Sequence, residues 1–193
     1  MAVADITGTY RLGPDSGRII IRTGRAGLAA KAGHDLAIEI TRWSAEVTVP
    51  GSGADTGGVA NARISAELDL GSLAVREGTG GAKPLSDKDR RDIEAAARKT
   101  LGGGGDTTAR FASSTILPAG AGGAIEGTLT MRGRSRPARL EVTSPEAGRY
   151  RAAATVRQTE FGITPYSGFF GALKLRDEVT VEVEADLGRA AAR

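Results

Sequence analysis

The one histidine of this 193-residue chain, His34, is followed directly by Asp35. A histidine oriented by a carboxylate can serve as a general base, which would make the pair the centre of a small hydrolase or isomerase. That chemistry also needs an activated nucleophile, and no G-x-S-x-G elbow or comparable feature accompanies the pair. The plainer roles are a histidine hydrogen-bonded where a turn enters a strand, or one touching the head group of a bound ligand. With no cysteine there is no disulfide framework, thiolate nucleophile or thiolate metal site, and a lone histidine cannot build a multi-histidine centre. We expect no metal, no dedicated cofactor and no catalysis. The glycine runs lack the G-x-x-x-x-G-K-[ST] spacing and do not lead from a strand into a helix, so nucleotide binding is unsupported.

Arginines crowd one stretch, MRGRSRPARL, as Arg132, Arg134, Arg136 and Arg139. Guanidinium groups suit a phosphate or an acidic partner by geometry, and Arg134 and Arg136 are candidates for a ligand head group. Glu126 and Glu141 flank them, which makes a solvated turn the alternative. Asp177 and Glu178 are adjacent, so in a strand they face opposite sides and cannot work as a carboxylate pair. Asp177 would fall on the apolar side and needs a partner, with Lys174, Arg157 and His34 as candidates. Lys and Arg exceed Asp and Glu by only 26 to 23, with signs alternating along the chain, so no nucleic-acid partner is expected.

The remaining chemistry is aromatic. The segment 161–170, FGITPYSGFF, places Phe161, Phe169, Phe170 and Tyr166 around Ile163 in a chain that is only 4% aromatic. Such a cluster is either a plug packed across one end of the fold or a wall against an apolar ligand, and Gly162 and Gly168 let it bend.

The elements that must position these residues are mostly strands. Over 173–187, LKLRDEVTVEVEADL, Val179, Val181, Val183, Ala185 and Leu187 share one parity against Glu178, Thr180, Glu182 and Glu184, which predicts one long strand with one wet face. The same alternation places Leu36, Ile38 and Ile40 on one side, and likewise Ile64 with Leu68, Leu129 with Met131, and Leu140 with Val142. Strands are expected over 7–12, 18–23, 36–41, 44–49, 63–70, 109–117, 125–132, 138–144 and 150–157. Gly-rich connections are expected at 51–58 and 119–123, a loop over 71–84 and a turn at 133–137.

One helix is expected over 86–101, capped by Ser86, with a thin stripe of Ile93, Ala96, Ala97 and Leu101 able to cover a barrel edge or mouth. A short helical turn is expected near 27–32. This order of short hairpin links favours an all-β, antiparallel up-and-down barrel forming a single domain over 1–193. Periodicity does not separate a hollow interior, open to an apolar ligand, from one filled by its own side chains. A filled barrel would serve as a stress-associated or protein-interaction module. No stretch has the length of a membrane-spanning helix, and the amino terminus lacks a basic and apolar leader, so a cytoplasmic protein is expected. Self-association as a homodimer stays open.

Several pieces resemble the YceI-like family in their order: GTYRLGPDSGRIIIRT, GLAAKAGHDLAIEITRW, PLSDKDRRDIEAAARKTL, ARFASSTI, the hairpin EGTLTMRGRSRPARLEV and the closing EFGITPYSGFFGALKLRDEVTVEVEADL. The resemblance covers nearly the whole chain, and its hairpin and its closing FGI and LKLRDEV pieces are the more specific ones. It implies an extended lipocalin-like barrel that binds a long apolar lipid, a polyisoprenoid or isoprenoid quinone, without catalysis. The ligand wall would then comprise Leu36, Ile38, Ile40, Ile64, Leu68, Leu129, Leu140, Val142, Phe161, Ile163, Tyr166, Phe169, Phe170, Val179, Val181 and Val183, with His34, Arg134 and Arg136 near a head group.

Overall fold

Alternating sequences pair into antiparallel ladders wherever one face is buried. The first three runs of this chain do so as bent strands. In this structure, a computed structural model describing residues 6–51, 58–102 and 105–192, β1 (Gly8–Leu12) is followed after a tight turn by β2 (Gly17–Arg22). A two-residue β3 (Arg25–Ala26) follows, then β4 (His34–Ile40), which runs on through Thr41 and Arg42 into β5 (Trp43–Val49). The third run is β6 (Arg63–Asp69) continuing into β7 (Leu73–Gly80). β1 pairs with β5 while β2 pairs with β4, and β5 pairs with β6 while β4 pairs with β7. Each pair of segments is therefore one strand that turns a corner.

After α1 (Asp87–Leu101), the chain makes β8 (Thr108–Ala119), β9 (Gly122–Met131), β10 (Arg134–Glu146) and β11 (Arg149–Arg157) as successive hairpins. A small sheet of β12 (Ser167–Gly168), β13 (Leu173–Leu175) and β3 precedes β14 (Glu178–Asp186) and the short β15 (Ala191–Ala192). β6 pairs with β8, β11 with β14, and β14 with β2. The circuit closes through the bent strands into an up-and-down antiparallel barrel.

The corners need polar devices, because a bending ladder loses partners that must be replaced. The buried polar residues Ser16 and Ser72 both sit at such bends. Ser72 Oγ accepts the Arg42 N–H at 2.9 Å and donates to the Asp69 carbonyl at 2.7 Å. Ser16 Oγ accepts the Gly13 N–H at 3.0 Å, and the Ser16 carbonyl accepts from Asp186 N–H at 2.8 Å. Outside, cross-strand ion pairs such as Arg151 with Glu184 and Arg157 with Glu178 follow the register, as the wet-face reading requires.

Three expectations are corrected. The span 71–84 is not all loop: Leu73–Gly80 is β7, with Leu73 and Val75 deep in the core. The β9–β10 connection is a two-residue turn at Arg132 and Gly133, both at positive φ, as tight hairpins demand. Pro137 lies inside β10, opposite Thr128 and ahead of the first β11 pair at Glu141, where the ladder can spare a donor. The strand expected over 173–187 is broken at Arg176 and Asp177. Arg176 donates its N–H to the Gly24 carbonyl at 2.7 Å, and β13 belongs to the small sheet while β14 belongs to the barrel.

The helix is capped as expected: Ser86 and Asp89 form a reciprocal capping box. The helical turn near 27–32 is present as a 3-10 turn over Ala30–Ala32. Most of the connection expected at 51–58 lies outside the described residues. The densest packing gathers Ile19, Leu36, Ile38, Ile40, Leu73, Val75, Met131 and Phe161. Val179, Val181 and Val183 point inward but stay only partly buried. The barrel is packed in one region and hollow in the rest.

Candidate functional site: an apolar lumen

The inward parity of the strands encloses a cavity of 1610 Å³. Sites for drug-sized ligands run up to about 1,000 Å³, so this lumen suits something larger or longer. The aliphatic wall expected from the sequence is assembled here: Leu36, Ile38 and Ile40 from β4, Ile64 and Leu68 from β6, Leu129 from β9, Leu140 and Val142 from β10, and Val179, Val181 and Val183 from β14. The thin stripe of α1, Ile93, Ala96, Ala97 and Leu101, forms part of the wall. An interior blocked by its own side chains does not agree with this volume.

The lumen reaches the surface at both ends of the sleeve. One opening is rimmed by exposed Leu117, Pro118, Ala121, Pro145 and Ala147 from the β8–β9 and β10–β11 turns. Tyr150 stands inside that end, where burial raises its phenol above the ordinary range and the neighbouring Tyr10 adds to the shift. The other opening is lined by exposed Ala32 and Tyr166 together with Leu173.

The aromatic segment divides. Ile163 and Tyr166 line the lumen, whereas Phe161 is 2% exposed, packs into the core and is absent from the wall. Phe170 is corrected outright: its ring is fully exposed and touches no part of the cavity. The side chain of Phe169 lies outside the described residues. A 3-10 turn at Gln158–Phe161 and a second turn at Phe169–Gly171 break the parity that a continuous strand would have imposed.

The polar candidates also separate. His34 lines the lumen, and its Nε2 lies 2.8 Å from the Lys83 carbonyl. Asp35 does not orient it, because adjacent strand residues face opposite sides. The Asp35 carboxylate instead accepts the Arg25 N–H at 2.8 Å and lies 3.7 Å from the Arg25 guanidinium. The hydrolase or isomerase dyad is thus not assembled.

Arg134 and Arg136 do not reach the lumen. Arg134 lies over Gly162, and Arg136 donates to the Ser135 carbonyl at 2.8 Å. Arg139 bridges Glu126 and Glu141, both at 2.7 Å. Asp177 finds its hydrogen-bond partner outside its candidates, while Arg157, one of them, contributes through its charge. Its carboxylate accepts the Thr159 N–H at 2.8 Å and the Thr159 hydroxyl at 2.5 Å, and these bonds hold it below the usual carboxylate range.

Several wall residues escaped the sequence reading. Trp43, the only tryptophan, lines the lumen with Val47 and Val49, and its indole lies against Gly17. Its parity with Ala45, Val47 and Val49 was the available signal. Ile19 and Ile21 also line the lumen, hidden in a run of three isoleucines that shows no alternation.

No described helix is long and apolar enough to cross a membrane. Comparison with curated proteins returns no match. Among solved structures, BcnA of Burkholderia cenocepacia is similar, with a TM-score of 0.58 at 18% identity, covering 87% of this chain and 94% of that one. A YceI protein of Campylobacter jejuni aligns at 11% identity over 77% of this chain and 83% of its own, with a TM-score of 0.45. The model of the YceI-like domain matches residues 21–187, a span that holds β4 to β14 and nearly all of the lumen wall, and the chain belongs to that family.

Proposed function

We infer that the barrel binds a long, flexible, apolar molecule of the isoprenoid lipid type inside its lumen and does no chemistry on it. The observation that carries this reading is the 1610 Å³ cavity walled by aliphatic side chains. A buried methylene contributes about 0.8 kcal/mol in gross terms, and association costs about 4–15 kcal/mol in lost freedom. With charged groups confined to a few lining residues such as Lys83, Asp89, Asp92 and Glu146, the mostly aliphatic wall favours ligands with many carbons, and affinity should climb with chain length until the lumen is full. Polyisoprenoids and isoprenoid quinones meet that requirement.

The test is direct. Freshly purified protein is examined by native mass spectrometry, and its organic extract is analysed for prenyl lipids. In parallel, prenyl alcohols of increasing length are titrated while the fluorescence of Trp43 is followed. Saturable quenching that tightens with length supports the reading. A response independent of length, or none for any member of the series, refutes it.

A further inference from the structure

We propose that the loops around Leu28 and Phe170 form a tip that docks on an anionic lipid bilayer, placing one opening of the lumen against the membrane. The inference rests on the reading of the lumen as a lipid site. Leu28 is 100% exposed and Phe170 fully so, although large apolar side chains are ordinarily sheltered. Phe170 also adopts φ 53°, a left-handed conformation unusual for a bulky residue. The two loops are joined: Ala29 donates its N–H to the Ala172 carbonyl at 2.9 Å, and Gly27 packs on the same carbonyl.

The charge around the tip selects the partner. Lys31, Lys174 and Arg176 are exposed, and none has a carboxylate partner among the described residues. Of the acids in the same segments, Asp35 pairs with Arg25, Asp177 is held by Thr159 but keeps its charge beside Arg176, and Glu160 is exposed ahead of the aromatic run, so Lys31 and Lys174 carry the cationic character of the tip. Two projecting apolar side chains set among unpaired cations match an interface of acyl chains beneath anionic head groups. The same loops carry Ala32, Tyr166 and Leu173, which line the lumen where it reaches the surface. A cargo leaving the bilayer at this tip would enter the sleeve without crossing water.

Vesicle flotation tests this with phosphatidylcholine alone and with phosphatidylcholine containing phosphatidylglycerol. The full chain is expected to float with the anionic vesicles and to be released by salt. Leu28→Ser combined with Phe170→Asn should lower partitioning about 10-fold or more. Lys31→Glu combined with Lys174→Glu should lower it by roughly 5-fold or more for each cation. All four positions are on the surface, and Asn tolerates the left-handed backbone at 170.

Each variant is also titrated with farnesol in solution through Trp43. Lost flotation with an unchanged Trp43 response assigns the loss to the tip and not to the lumen. Variants that float like the parent, or a parent that floats with neither vesicle, would overturn the proposal. So would sedimentation velocity showing a dimer dispersed by Phe170→Asn in a protein that ignores vesicles, since the tip would then be a contact between copies.

Discussion

A carboxylate oxygen of Glu94, on α1, accepts the backbone N–H of Val75, on β7, at 2.9 Å. β7 pairs with β4 on one side, and its other edge is completed by helix side chains. Arg90 donates to the carbonyls of Val75 and Arg76 at 3.2 and 2.7 Å, and Arg98 to those of Gly71 and Leu73 at 3.0 and 2.8 Å. The helix thus takes the place of a neighbouring strand and blunts an edge that would otherwise invite pairing with another chain. It has no fully buried residue of its own, and Ile93, Ala97 and Leu101 pack only partly buried against the core, so these polar contacts share in fixing its position over the lumen.

Glu94→Ala should therefore free the Val75 amide and loosen α1 without unfolding the barrel. The expected cost is about 1.5–3 kcal/mol, the usual range for a hydrogen bond to a charged group. Hydrogen exchange read by mass spectrometry should show faster exchange across β7 and α1, with β9 to β11 unchanged. Uniform protection in the variant would show that apolar contacts alone hold the helix.

Ser72 carries a corner in the same way. Ser72→Ala removes the acceptor of the Arg42 N–H and the donor to Asp69 at a buried site, so a loss of about 1–3 kcal/mol is expected in urea unfolding. An exposed serine such as Ser135 should tolerate the same change within about 0.5 kcal/mol.

The contrast explains what the sequence made legible. Alternation placed Val179, Val181 and Val183 on the inner face because a straight strand keeps its parity from end to end. It did not find β7, since LAVREGTG has little alternation and its outer edge is satisfied by α1 instead of a strand. It did not find the corners either. At each bend the paired register shifts, so Gly8 opposite Val49 and Ile20 opposite Glu39 belong to one bent ladder that reads as separate pieces. Phe161 and Phe170 could not be told apart by composition, because turns between them set one into the core and the other into solvent.

The hollow interior makes an unusual substitution informative. Val181 lines the lumen at mid-strand, opposite Ala154 on one side and Ile21 on the other. In a packed core, Val181→Trp would cost about 1–3 kcal/mol through overpacking. Here the indole has space to enter, so the melting temperature should change little while capacity for long prenyl alcohols falls. Long-chain binding equal to the parent's would mean that the lumen beside Val181 is not used.

Acid should act through two carboxylates at bends. The Arg42 guanidinium, helped by the Gly71 N–H, holds Asp69 below its ordinary 3.8, and the Thr159 hydroxyl and N–H do the same for Asp177. A carboxyl group whose pKa is lower folded than unfolded stabilises the fold above the unfolded value and loses that contribution as pH falls through the folded one. Stability should accordingly decline below about pH 4. Asp69→Asn and Asp177→Asn should each flatten that decline, with variant and parent differing most near neutral pH and converging in acid. Both groups are partly exposed, so the differences should be small and shrink with salt. Urea unfolding across that pH range checks the sign, and a gap that widened in acid would contradict the assignment.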